Sequence, residues 1–498
     1  MHAIEHLFPT TAASRLASFV LAAGLALAVR PGPAAAVTPA LAARPGPAAD
    51  TGAVAPAPPS RQPVLREIAD AVSADSLRAV LTRLVSFGTR NTLSDTLSDT
   101  RGIGAARRWI KGRMDTLSER CGGCLQVFFQ RNLVPPGRRV PDTTAVVNVV
   151  AVQRGTTDPG RYVLITGHYD SRVSDVLNDT SFAPGADDDG SGVAAVLEAA
   201  RVLSRHQFAA TVVYAALAGE EQGLFGGKGL AAYAREHGWR LEADLNNDII
   251  GNIEGIDGII DNTTARVFSE GTRATESART ARIRRYTGGE VDSPSREVAR
   301  YVARMSNYVR NLHVMLVYRL DRFGRGGDHS AFNDVGYPAV RITERNENYH
   351  RQHQDVRVED GIHYGDVLAG VNFPYLRKMA ALNLVSLASM AWAPAPPEGV
   401  QIRGAVRPST TLSWDASRAP GLAGYRIYWR PTEAPRWQRS VWVGDATQHT
   451  LEDVVIDNYT FGVAAVSKDG FESPAVFPGP VGDFAPPPDS TGAGRGGR

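Results

Sequence analysis

The sequence predicts an α/β domain, a sheet covered by helices, followed by a small all-β sandwich. Two observations carry that prediction. From about Ser73 to Met390 helical and strand-like segments alternate, and after the Pro-rich break Ala393-Pro394-Ala395-Pro396-Pro397 the pattern becomes one of short alternating strands. Length agrees: 498 residues exceed one domain of about 150 and leave room for a sizeable core.

The first element is the apolar run Ala17 to Val29, preceded by Arg15 and followed by the small residues Ala34-Ala35-Ala36. It is shorter than the ~20 apolar residues that span a bilayer, so a secretory signal over 1–36 is favoured over a membrane anchor. The expected destination is secreted, periplasmic or cell-surface, with no membrane span after cleavage. Residues 37–72 are read as an Ala/Pro-rich linker, a composition that buries little. In SADSLRAVLTRLVSF, Leu77, Val80, Leu81 and Leu84 recur at helical spacing behind Ser73 or Asp75 as cap. A second helix follows near Gly102 to Leu117, then strands at Leu125 to Gln130, in TAVVNVVAVQ and in YVLITGHYD. Helices at about 191–204 and 226–237 alternate with the strands ATVVYAALAGE and ADLNNDIIGN, and a long helical stretch from about Glu359 to Met390 closes the domain at 392. Beyond the break come TTLSWDAS, GYRIYWRP, SVWVG, HTLEDV and NYTFGVAAVS, a sandwich over 397–478, and a tail from 483 to 498 that reads as disordered.

Composition narrows the function. Hydrophobic residues at 43% and charged residues at 21% do not suit a polytopic membrane protein, and a net charge of +2 gives no basic field for nucleic acid. The cysteines, Cys121 and Cys124 in CGGC, are too few for a four-ligand zinc site and follow a helix rather than opening one. A disulfide closing a small loop is the favoured reading, with redox chemistry its rival.

Metal-type ligands concentrate in five short motifs: His168 and Asp170 in GHYDS, Asp187 to Asp189 in GADDDGSG, Glu220 and Glu221 in GEEQG, Asp248 in NNDIIGN, and Tyr349-His350 in NENYHRQHQD. Singly each is ordinary, since carboxylate runs are usually solvated and a lone histidine is more often hydrogen-bonded than ligating. The motifs up to Asp248 sit where a strand gives way to a turn, and the adjacent acids would repel one another without a cation. The acids lack the alternating spacing of an EF-hand loop, no His-Glu-x-x-His occurs, and GLFGGKG lacks the Ser or Thr of a phosphate loop.

Over roughly 73–390 the order and spacing of these motifs resemble the M28 family of zinc peptidases, which includes secreted bacterial aminopeptidases. The resemblance implies a mixed, mostly parallel sheet of the zinc exopeptidase type and two co-catalytic zinc ions. His168 and Asp248 would hold one ion, Glu221 and His350 the other, and Asp188 would bridge them. Asp170 would orient His168, Glu220 would be the general base, and Tyr349 would hydrogen-bond the developing oxyanion unless it is simply a packed aromatic. Asp189 would follow Asp188 through a cis peptide. Asp328 and His329 in GGDHSAF match a supporting element of the family; His329 and His353 compete with His350, which is favoured because it directly follows Tyr349. Trp414, Tyr425, Tyr428 and Tyr459 make the C-terminal segment resemble a fibronectin type III domain with Tyr459 as its corner tyrosine, a spacer or a weak docking module for protein or polysaccharide.

These implications predict an exported peptidase trimming peptides from the N-terminus. Rival readings are a carboxypeptidase or dipeptidase, a one-zinc glutaminyl cyclase, and a catalytically dead scaffold that binds or adheres; retention of both half-sites and of Glu220 argues against the last two.

Overall fold

The computed structural model describes residues 56–290 and 292–484, all of which fall in one compact unit. The signal over 1–36, residues 37–55 of the linker and the tail beyond 484 lie outside the described residues.

Three helices open the described residues: α1 (Pro63–Asp70), α2 (Ala74–Val85) and α3 (Gly102–Arg120). Then come β1 (Leu125–Val134), β2 (Thr144–Gln153), β3 (Asp158–His168), α4 (Gly190–Leu203), β4 (Ala210–Leu217), α5 (Phe225–Glu236) and β5 (Arg240–Asn247). The next stretch, to which the sequence reading assigned no elements, contains β6 (Thr264–Ser269), α6 (Ala278–Thr287), α7 (Pro294–Met305), β7 (His313–Val317), α8 (Asp328–Asp334) and β8 (Ala339–Glu344). A hairpin of β9 (Arg357–Glu359) and β10 (Ile362–Tyr364) precedes α9 (Phe373–Trp392).

Strands β1 to β8 form one mixed sheet in the order β1-β2-β4-β3-β5-β8-β6-β7, parallel through β4-β3-β5-β8. The chain steps from β3 to β4 on one side and then crosses to β5 on the other. Strand order therefore reverses about β3, and the crevice at its carboxyl end is where such sheets place ligands. Alternate residues divide the two faces: Val163 and Ile165 join the core under α2, α3, α4 and α9, whereas Leu164 joins that under α5 and α8. Helices α4 and α9 are apolar on nearly every side because sheet and neighbouring helices enclose them.

Two expectations need correction. The linker does not extend to residue 72: Pro63 opens α1, whose Leu65 and Ile68 are buried in the main core, and Arg377 of α9 donates from Nε to the Val72 carbonyl at 2.7 Å. The closing helix does not begin at Glu359. Asp360 and Gly361 adopt positive φ and turn the β9–β10 hairpin, and α9 starts only where the Asn372 side chain accepts the Tyr375 N–H.

The C-terminal segment forms two three-stranded antiparallel sheets, an arrangement compatible with a β-sandwich. One is built from β11 (Gln401–Arg403), β12 (Thr410–Ser413) and β15 (Gln448–Leu451), the other from β13 (Leu422–Pro431), β14 (Arg439–Gly444) and β16 (Tyr459–Ser467). Trp414, Tyr425, Ile427, Phe461 and Val463 share its core. The tyrosine hydroxyl holding the backbone here is that of Tyr425, which accepts the Ser417 N–H at 2.7 Å; the ring of Tyr459 packs against Phe461. This segment is more than a tethered spacer. Buried Arg430 pairs with Asp292 at 2.6 Å, Trp437 donates to Glu297 at 3.0 Å, and Arg304 pairs with Glu472 at 2.6 Å.

Candidate metal centre

Register places the site. His168 ends β3 opposite Leu217 of β4, so the Glu220–Glu221 turn emerges beside it, and Asp248 follows β5 on the other flank. The turn into α4 supplies Asp188. Its neighbour Asp189 is wholly buried, is joined to it by a cis peptide, and caps α4 by accepting the Gly192 N–H at 2.9 Å while its other oxygen accepts the His168 N–H at 2.9 Å. Asp189 thus ties the end of β3 to the start of α4. From outside the motif Asp366 holds the turn that precedes α4, accepting the Asp187 and Asp188 N–H groups at 2.9 and 2.8 Å.

Two donor groups result, and Asp188 belongs to both. His168, Asp188 and Asp248 offer ligand atoms within 4.8 Å of one another, as do Asp188, Glu221 and His353. His168 Nε2 lies 3.2 Å from Asp188 Oδ1, and His353 Nε2 lies 3.1 Å from Asp188 Oδ2 and 3.2 Å from Glu221 Oε1. Behind His168, its Nδ1 sits 3.2 Å from the Asp170 carbonyl and 3.5 Å from Asp170 Oδ1.

The second histidine is His353, not the predicted His350. The His350 ring meets Tyr364 edge-on at 4.9 Å and belongs to neither group. The loop explains why. Arg351 reaches back to Glu254 at 2.8 Å, and Glu347 is bound by Arg266, Arg322 and Arg325 at 2.8, 3.2 and 3.0 Å. These pins hold residues 347–351 against β6 and neighbouring loops, and the chain turns at His353 through a left-handed backbone. His329 is buried elsewhere, its Nε2 2.9 Å from the Leu320 carbonyl. Tyr349 lies on the same loop and is exposed.

The donor chemistry fits a cation. His168 Nε2 and Glu221 Oε1 are buried without a hydrogen-bond partner, although both are atoms of the kind zinc takes. Electrostatics agree. Although burial opposes it, His168 and His353 hold the Asp188 carboxyl well below its usual range, and the acids in turn lift His353 to about 10. Desolvation raises the Glu220 carboxyl well above the ordinary range; His168 opposes this, while Glu221 and Asp248 add to it. Residues that sequence reasoning missed lie around this set: Asp366, Glu347 and Arg341, whose Nη1 sits 2.6 Å from Asp248 Oδ2.

A set of imidazole and carboxylate donors at the carboxyl ends of parallel strands is that of a metal-dependent enzyme. Residues 148–367 match the model of peptidase family M28. A probable zinc metalloprotease of Leptosphaeria maculans is 43% identical over 431 residues, 86% of this chain and 99% of that protein. Another, of Pyrenophora teres f. teres, is 44% identical over 430 residues, 86% of this chain and 88% of that protein. Among solved structures, the Legionella pneumophila LapA aminopeptidase is similar with a TM-score of 0.48 and 18% identity, over 68% of this chain and 77% of that one. The chain belongs to peptidase family M28 and is a zinc metallopeptidase.

Proposed function

We propose that this peptidase is an exported aminopeptidase that works with two zinc ions and releases residues from the N-terminus of peptides. The observation that carries the two-ion reading is the position of Asp188, one oxygen 3.2 Å from His168 and the other 3.1 Å from His353. His168 and Asp248 would hold one ion, Glu221 and His353 the other, with Asp188 between. An ion held by these residues would supply Lewis acidity for activating water and polarising the scissile carbonyl.

The remaining work falls to the chain. Glu220 follows the site's strand and precedes a ligand, so it accepts the proton of the attacking water and delivers it to the departing amine. Asp170 fixes the His168 ring. Tyr349, exposed on the loop that carries His353, is available to donate to charge developing on the carbonyl oxygen. Export rests on the apolar run Ala17 to Val29 with Ala34-Ala35-Ala36 behind it. The C-terminal sheets are a fibronectin-like accessory that contacts protein or polysaccharide.

A mass-spectrometric time course tests this reading, using the zinc-loaded full chain and a mixed-sequence peptide free at both ends. Successive loss of residues from the N-terminus is expected. Loss from the other end, internal cleavage, or an intact peptide overturns the aminopeptidase assignment.

A further inference from the structure

Arg341 is wholly buried on β8, where the parallel register sets it beside Asn246 of β5. Its guanidinium therefore reaches the residue just past β5. Nη1 lies 2.6 Å from Asp248 Oδ2, and Nη2 donates to the Asp248 carbonyl at 3.3 Å. One side chain thus grips both the carboxylate and the backbone of that aspartate. A second guanidinium, that of Arg322, stands 4.0 Å from the same oxygen.

The other donor group is built differently. Glu221 Oε1 has no hydrogen-bond partner and faces His353 Nε2 at 3.2 Å. A carboxylate that already neutralises a guanidinium offers less charge, and one oxygen fewer, to another cation, and the buried guanidinium itself repels that cation.

We infer that Arg341 is a positioning residue that makes the two half-sites unequal. It keeps Asp248 a one-oxygen donor of reduced charge, so the ion at His168, Asp188 and Asp248 is held more weakly and leaves first, while the ion at Asp188, Glu221 and His353 stays. The inference rests on the two-zinc reading above. Its consequence is that full loading follows the free zinc concentration in the range set by the weaker half-site.

Two roles of Arg341 must be told apart, charge and grip. Arg341→Met removes both, whereas Arg341→Lys keeps the charge and loses the fork. The measurement is zinc affinity of the metal-free full chain by chelator competition, with circular dichroism confirming that each variant is folded. The parent should bind two ions whose dissociation constants differ by about tenfold or more, within the range over which neighbours of metal ligands tune affinity. In Arg341→Met the weaker constant should tighten by about tenfold while the tighter one stays within about threefold, and Arg341→Lys should match the parent. If the Met variant does not fold, Arg341→Gln reads the same quantity. A weaker constant that is unchanged or further weakened, or both constants tightening alike, overturns the inference. A parent that binds fewer than two ions overturns the two-zinc reading with it, and that failure is visible before any variant is compared.

Discussion

Asp170 Oδ2 accepts the backbone N–H of Glu221 at 3.2 Å while Asp170 Oδ1 lies 3.5 Å from His168 Nδ1. One buried carboxylate therefore registers the strand end that carries a histidine donor against the turn that carries a glutamate donor, and Thr92 donates to it at 3.0 Å. An amide cannot replace it, because one end would present N–H to groups that themselves donate. Asp170→Asn is expected to lower zinc affinity and kcat/KM by about 10- to 100-fold with the fold retained. Chelator competition and peptide hydrolysis on the same preparation check this; unchanged zinc affinity would show that Asp170 does not orient the site.

Glu220 is the residue on which the proposed chemistry turns. Glu220→Gln keeps size and removes the base, so kcat should fall by about 10²- to 10⁴-fold with KM and zinc content little changed. Steady-state kinetics on the metal-replete variant give the answer, and a parental kcat removes Glu220 from the mechanism.

The histidine assignment separates cleanly by substitution. His353→Ala removes an imidazole that faces two carboxylates, and should lose one zinc ion per chain. His350→Ala removes a ring packed on Tyr364, and should keep both ions and activity within a few-fold. Elemental analysis of the two purified variants decides; the reverse pattern would return the role to His350.

That distinction also marks how far the sequence could be read. TAVVNVVAVQ coincides with β2, and the motif residues His168, Asp188, Glu221 and Asp248 are brought together because each follows an apolar strand or opens a helix, whose position local pattern reveals. His353 competes with His350 in the sequence and loses to it on adjacency to Tyr349, because the loop that decides between them is shaped by Glu347 and Arg351, whose partners lie elsewhere in the chain. Arg341 was hidden for a related reason: β8 is six residues long, and only the register with β5 brings that arginine to Asp248. Helix α1 is masked by composition, because Pro63, which starts the helix, continues the Ala/Pro-rich stretch before it.

Glu347 gives the site loop a pH signature. Although burial opposes it, Arg322, Arg341, Arg266 and Arg325 hold its carboxyl at about 2, below the ordinary 4.5. A depressed carboxylate stabilises the fold fully above its unfolded pKa and stops doing so as pH falls through the folded one. The advantage of the parent over Glu347→Gln should therefore be constant from about pH 8 to 5.5 and shrink by roughly 3 kcal/mol as pH falls from about 4.5 through about 2. Thermal midpoints of both proteins across that range test it; an advantage that grows on acidification contradicts the arginine anchor.

The ion pairs at the C-terminal sheets make a stability prediction of their own. Arg430 and Asp292 are each 1% exposed at their side chains, and Asp292 is also held by Arg300 at 2.7 Å. Breaking a buried pair by removing one partner leaves an uncompensated charge and costs about 3–5 kcal/mol, whereas a surface pair costs under about 1. The second arginine lessens the loss, so Arg430→Met should destabilise the whole chain by about 2–4 kcal/mol and lower a single thermal transition. If the sheets were a spacer, the variant would instead melt in two steps, with the peptidase transition at its parental temperature. Calorimetry of parent and variant, each held at the same saturating zinc, distinguishes the two by the number of transitions.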